Sequence, residues 1–153
     1  MKMIKISLFV FLMLSVCSFA VAQEEARATV KISSLQGAAQ IKVAKKEWSA
    51  ASAGMTLNQG DIIRTRPGSW ALLNVYDEKN KQLASIELKQ NSELRFIKLQ
   101  PSKDILFDLA LGEAFVKAEK LNGIKAQCQV KTPTSFIEVK GKATFSVNVE
   151  KIQ

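Results

Sequence analysis

Residues 60–77 read GDIIRTRPGSWALLNVYD. Gly60 permits a tight turn, and Ile62 and Ile63 then enter an apolar region. Arg66-Pro67-Gly68-Ser69 fits a β-turn with proline at its second position and glycine at its third, where φ is positive. After the turn, Ala71, Leu73 and Val75 alternate with Leu72, Asn74 and Tyr76, the period of a strand buried on one face. Trp70 stands at the start of that strand, outward or at the rim. A glycine, a short apolar strand, a Pro-Gly turn and a second strand make a β unit with no helical alternative.

The same period recurs on both sides of this unit. Val30 with Ile32 and Ile41 with Val43 precede it. Ala84-Ile86-Leu88, Leu94-Phe96, Ile105-Phe107-Leu109, Ala114-Val116-Ala118, Phe136 or Ile137 with Val139, and Phe145-Val147-Val149 follow it. Turn residues fall between them at Gln36-Gly37, Asn58-Gln59-Gly60, Asp77 to Asn80, Gln90-Asn91, Pro101-Ser102, Leu111-Gly112, Asn122-Gly123, Pro133 and Gly141, a spacing of roughly 8 to 12 residues. Strands of that length at that spacing predict a single all-β domain of about ten short strands, either a β-sandwich or a short coiled β stack. Gly112 is expected to open a strand, as Gly60 does.

The N-terminal stretch MKMIKISLFVFLMLSVCSFAVAQ stands apart. Lys2 and Lys5 form a positive n-region, Ile6 to Val16 an apolar h-region, and Ala20-Val21-Ala22 a small-x-small cleavage site. Residues 1–22 read as a secretory signal peptide and residues 23–153 as the exported domain. Two other readings stand beside it, an uncleaved membrane anchor and lipid modification at Cys17. A cleaved product is expected in the periplasm or outside the cell, with no membrane-spanning helix.

The whole chain has 22 basic and 14 acidic residues, and the first 22 positions hold two lysines and no acid, so the exported part remains basic. Those charges are dispersed, with Lys45-Lys46 the longest basic run. Nucleic-acid recognition needs basic residues clustered on one face, and is not expected here. Cys128 alone remains after cleavage, so no internal disulfide can form. It lies in the alternating stretch AQCQV, where an inward and inert position is expected.

There is no histidine, which removes Ser-His and Cys-His nucleophiles, imidazole proton transfer and His-containing zinc sites. The acids Asp61, Asp77-Glu78, Glu87, Glu93, Asp104, Asp108, Glu113, Glu119, Glu138 and Glu150 mostly alternate with apolar residues as outward partners. No phosphate-binding glycine loop, calcium loop or paired-cysteine metal spacing appears. No catalytic residue, metal or cofactor is expected, and the chain is not read as an enzyme.

Several segments resemble a known family. Gly60-Asp61-Ile62-Ile63-Arg64-Thr65, then Pro67-Gly68-Ser69 and an alternating strand, then Asn91-Ser92-Glu93-Leu94-Arg95, are similar to the core of FecR-like domains. Gly112-Glu113-Ala114-Phe115-Val116, Val130-Lys131-Thr132-Pro133-Thr134 and Val139-Lys140-Gly141 follow in the same order, so the resemblance covers roughly residues 30–149. One departure occurs at Gly141-Lys142-Ala143-Thr144-Phe145, where the threonine and phenylalanine are spaced differently from the glycine, and a bulge would absorb the difference.

The resemblance implies an extracytoplasmic all-β module that acts by binding. The regulators after which the family is known add a cytoplasmic segment and a membrane helix, and neither is read in this sequence. The expectation is therefore a stand-alone exported module, non-catalytic, that binds an envelope protein or cell-wall polymer in signalling or assembly. The alternative is a carbohydrate or cell-wall binder using Trp48, Trp70 and Tyr76 as stacking surfaces. Arg64, Arg66 and Trp70 are the candidate partner-binding residues, because arginine and tryptophan are favoured interface anchors.

Overall fold

A computed structural model describes residues 26–121 and 126–151. The signal sequence and the Asn122-Gly123 turn lie outside the described residues.

Among the described residues twelve strands run in order: β1 (Thr29–Gln36), β2 (Ala39–Lys42), β3 (Ser49–Ala50), β4 (Thr56–Leu57), β5 (Ile62–Thr65), β6 (Trp70–Tyr76), β7 (Gln82–Leu88), β8 (Glu93–Gln100), β9 (Asp104–Ala118), β10 (Gln127–Lys131), β11 (Phe136–Val139) and β12 (Ala143–Val149). The all-β expectation is met. The expected strand count rises because β3 and β4, of two residues each, are too short to show a period of their own. One expectation is corrected in the other direction. Gly112 does not open a strand but lies inside β9, a single strand of 15 residues that the sequence presented as two.

The strands form one sheet folded across its middle. One half has the order β4-β1-β6-β7-β9-β12, and the other β3-β2-β5-β8-β9-β10-β11. All neighbours are antiparallel except β9 and β10, which run parallel from Gln127↔Asp104 to Lys131↔Asp108. β9 belongs to both halves: Asp104 to Leu111 pairs with β8, and Ala114 to Ala118 with β7. Inward residues of the two halves fill one core, with Val30, Ile32, Leu73, Leu83, Ile86 and Leu88 from the first and Ile63, Leu94, Phe96, Ile105, Phe107 and Val130 from the second. Phe96 and Phe107 face each other across paired strands, ring centroids 5.8 Å apart at 86°, the edge-to-face geometry that aromatic quadrupoles favour.

Four crossings between the halves lie side by side: β1 to β2 at Gly37, β5 to β6 at residues 66–69, β7 to β8 at residues 89–92, and the bend of β9 at Gly112. Two glycine–serine contacts hold the outer pair. Gly37 has φ +80°, a Cβ there would lie 2.2 Å from Ser69 Oγ, and the next amide, Ala38 N–H, donates to that oxygen at 2.8 Å. Gly112 repeats the device with φ +90°: a Cβ there would lie 2.0 Å from Ser92 Oγ, and Glu113 N–H donates to that oxygen at 2.9 Å. Between them, Thr65 Oγ1 donates to Lys89 C=O and accepts from Ser92 N–H at 3.1 Å. Ser69, Thr65 and Ser92 are all buried, so each hydroxyl must find such partners or cost the fold its desolvation.

The Pro67-Gly68 turn forms as read, with Ser69 N–H donating to Arg66 C=O at 3.2 Å and Gly68 at φ +71°. Two acids depart from the outward pattern. Asp61 and Asp77 are buried because their carboxylates cap turns: Asp61 Oδ2 accepts Asn58 N–H at 2.8 Å, and Asp77 Oδ1 accepts Lys79 N–H at 2.9 Å and Lys81 N–H at 2.8 Å. The bulge expected after Gly141 is also absent. Gly141, at φ +80°, takes up the irregular spacing in the turn before β12, and β12 pairs with β9 in unbroken register from Ala143↔Ala118 to Val149↔Gly112.

Cys128 faces inward, 2% exposed. Burial pushes its thiol up to about 12, because the thiolate would lose its hydration. In the folded protein Cys128 should therefore resist a thiol reagent at neutral pH and label fully once urea unfolds the chain. Rapid labelling under native conditions would contradict this. The stability contributed by the buried, protonated thiol is complete below the ordinary thiol pKa and is lost as pH rises from there toward about 12.

Candidate functional site: an arginine pair on a shared glutamine

Arg64 points outward because its neighbours on β5, Ile63 and Thr65, point in. Its cross-strand partner on β2 is Gln40, which stands outward between buried Ala39 and Ile41. Gln40 Oε1 accepts from Arg64 Nε at 2.9 Å and from Arg64 Nη2 at 2.7 Å. The same oxygen accepts from Arg66 Nη2 at 2.8 Å. One amide oxygen thus holds two guanidinium groups together.

Trp48, from the segment before β3, completes the arrangement. Its ring lies under Arg64, with the guanidinium carbon 3.8 Å from the ring centroid. A cation over an indole face at that distance is attracted by the ring quadrupole, worth about 0.5–1 kcal/mol where solvent reaches it. Stacking and the Gln40 bonds fix the plane of Arg64, so the group is ordered before any ligand arrives. Among the described residues neither arginine has a carboxylate partner.

Trp70 is not part of this cluster. It sits beyond the Pro67-Gly68 turn, on the outer side of the other half-sheet, and its Nε1–H donates to Gln36 Oε1 at 2.7 Å. It lines an open groove along the crossings, with Gln90, Asn91, Gly112 and Glu113. The three residues singled out from sequence therefore divide: Arg64 and Arg66 come together, and Trp70 stands apart. Tyr76 is also engaged locally, its hydroxyl accepting from Asn74 Nδ2 at 3.3 Å.

Gln40 escapes a sequence reading, because an outward glutamine on a short strand looks like any solvated residue. Only its register opposite Arg64 gives it a role. No group of three or more Cys, Asp or Glu side chains that could hold a metal occurs among the described residues. No helix among them is long and apolar enough to cross a membrane.

Fold and surface together define an all-β domain that presents an ordered cationic cluster from the outer face of its sheet. The family model described as FecR protein matches residues 61–153, and the chain belongs to the FecR family. The matched residues include Arg64 on β5 and Arg66 in the turn after it, while Gln40 and Trp48 come from the segment before the match. No curated protein and no solved structure matches the chain.

Proposed function

We propose that this domain is an exported, non-catalytic FecR module of the cell envelope that binds a protein partner through an acidic group received between Arg64 and Arg66. The observation that carries this reading is the shared acceptor: two guanidiniums are drawn together on the neutral oxygen of Gln40. Like charges held close are relieved by an anion, and a carboxylate with two oxygens can bridge two arginine forks as an amide oxygen cannot. Family membership supports a role in envelope signalling and a module that works by recognition.

The carbohydrate reading draws less support from the geometry. A sugar ring stacks on an open aromatic face, and one face of Trp48 is already taken by Arg64.

The test compares the exported protein with an Arg64→Ala/Arg66→Ala double variant, each immobilised and challenged with envelope extract. A protein retained by the first should be lost at least about tenfold from the second, since an arginine anchor truncated at an interface centre costs about 2 kcal/mol or more. Added salt should weaken retention in the same direction. Equal capture by both forms, with both folded by circular dichroism, would remove the arginine pair from the binding surface.

A further inference from the structure

Three of the four outermost strands are short. β3 and β4 have two residues each and β11 has four, lengths at which an edge offers little ladder to an incoming strand. β12 differs. It has seven residues in straight register with β9, and no strand on its other side among the described residues. It carries no proline, no bulge and no inward charge, the usual means of blunting an edge. Of its inward residues Val147 is buried, but Ala143, Phe145 and Val149 are only partly covered, whereas Ala118 and Val116, paired with Ala143 and Phe145 on β9, are buried.

Residues 142–150 read KATFSVNVE. Reversed about Ser146, this segment complements itself. Lys142 meets Glu150, Ala143 meets Val149, Thr144 meets Asn148, and Phe145 meets Val147. Apolar inward residues oppose apolar ones, outward polar residues oppose polar ones, and the basic end opposes the acidic end. Antiparallel pairing about a two-fold axis requires this relation, in which residue i of one copy meets j of the other and j meets i.

We propose that β12 is a homodimerisation edge: two copies pair antiparallel through β12 with the axis at Ser146, joining their six-stranded half-sheets into one continuous sheet. The occupant is a second copy because the charge order along the strand is self-complementary, and because the partly covered residues Ala143, Phe145 and Val149 acquire apolar neighbours from the same strand of the partner. Lys142 already meets Glu119 at 3.7 Å, with its side chain 71% exposed, a loose contact that leaves the ammonium able to reach Glu150 of a second copy. The arginine pair lies on the other half-sheet, so this inference stands apart from the proposed partner site.

Sedimentation velocity of the exported protein over a concentration series should show a monomer–dimer equilibrium. Lys142→Glu alone and Glu150→Lys alone should each weaken dimerisation severalfold or more, and the double charge exchange should restore it. Register is read separately by cysteine crosslinking: Ser146→Cys should form a disulfide-linked dimer under mild oxidation, whereas Asn148→Cys should not, because it faces residue 144. Both positions are outward, so neither change threatens the fold. A monomer at every concentration, a dimer indifferent to both single reversals, reversals that the double exchange does not rescue, or crosslinking at 148 rather than 146 would each overturn the proposal.

Discussion

Gly112→Ala should destabilise the protein by about 3–5 kcal/mol, a large part of the stability of an ordinary domain. Two costs add at this position. The backbone has φ +90°, where a side chain of L configuration is strained by about 1–2 kcal/mol. The new Cβ would also lie 2.0 Å from Ser92 Oγ and 2.5 Å from Ser92 Cα. The second atom is backbone, so rotating the serine side chain cannot relieve the overlap. The crossing must open, and the bond from Glu113 N–H to Ser92 Oγ would go with it. Gly54→Ala separates the two costs. Gly54 has nearly the same φ, +89°, but a Cβ there meets nothing within 4 Å, so only the backbone strain of about 1–2 kcal/mol is expected. Urea unfolding should show a much larger fall in midpoint for Gly112→Ala than for Gly54→Ala, with similar slopes. Equal shifts would mean that the Gly112–Ser92 contact does not constrain the crossing.

Phe107→Ala is the second large effect, about 3–5 kcal/mol. Phe107 is fully buried at the centre of the second half-sheet, between Phe96 on β8 and Val130 on β10. Truncation removes the edge-to-face contact with Phe96 and leaves a cavity in the core over the inner face of the sheet, which the hydrogen-bonded strands cannot easily close in to fill. Phe107→Leu keeps most of the volume and should cost clearly less. Phe136 is the control: the residue is 54% exposed, and Phe136→Ala should change stability by no more than about 0.5 kcal/mol. If Phe107→Ala and Phe136→Ala unfolded at similar urea concentrations, the assignment of the core would be wrong.

Much of this fold is visible in the sequence because the strands alternate cleanly. Ala71-Leu73-Val75, Ala84-Ile86-Leu88 and Ile105-Phe107-Leu109 are buried as their period requires. β3 and β4 are two-residue pairings with no room for a pattern, so only the folded neighbours define them. Gly112 misleads for a different reason. A glycine between two alternating runs resembles a turn, and a bend within one continuous strand leaves the same trace. The motifs that suggested the family are largely explained by the crossings. Thr65, Ser69, Ser92 and Gly112 hold the fold line, and Asp61 and Thr132 cap turns, with Thr132 Oγ1 accepting Ser135 N–H at 2.9 Å. Those segments therefore carry architecture. The candidate site was half visible: Arg64 and Arg66 can be named from residue type, but Gln40 is 24 positions away from Arg64 and depends on strand register.

β9 threads both halves of the sheet on one backbone. Loss of either ladder pulls on residues that the other needs, so the two faces are not separable folding units. A sandwich whose sheets are joined only by loops can lose an edge or splay while the remainder persists. Here the common strand acts as a hinge pin driven through both leaves, and partial opening should be confined to the short outer strands, with the centre of the domain unfolding as one cooperative block.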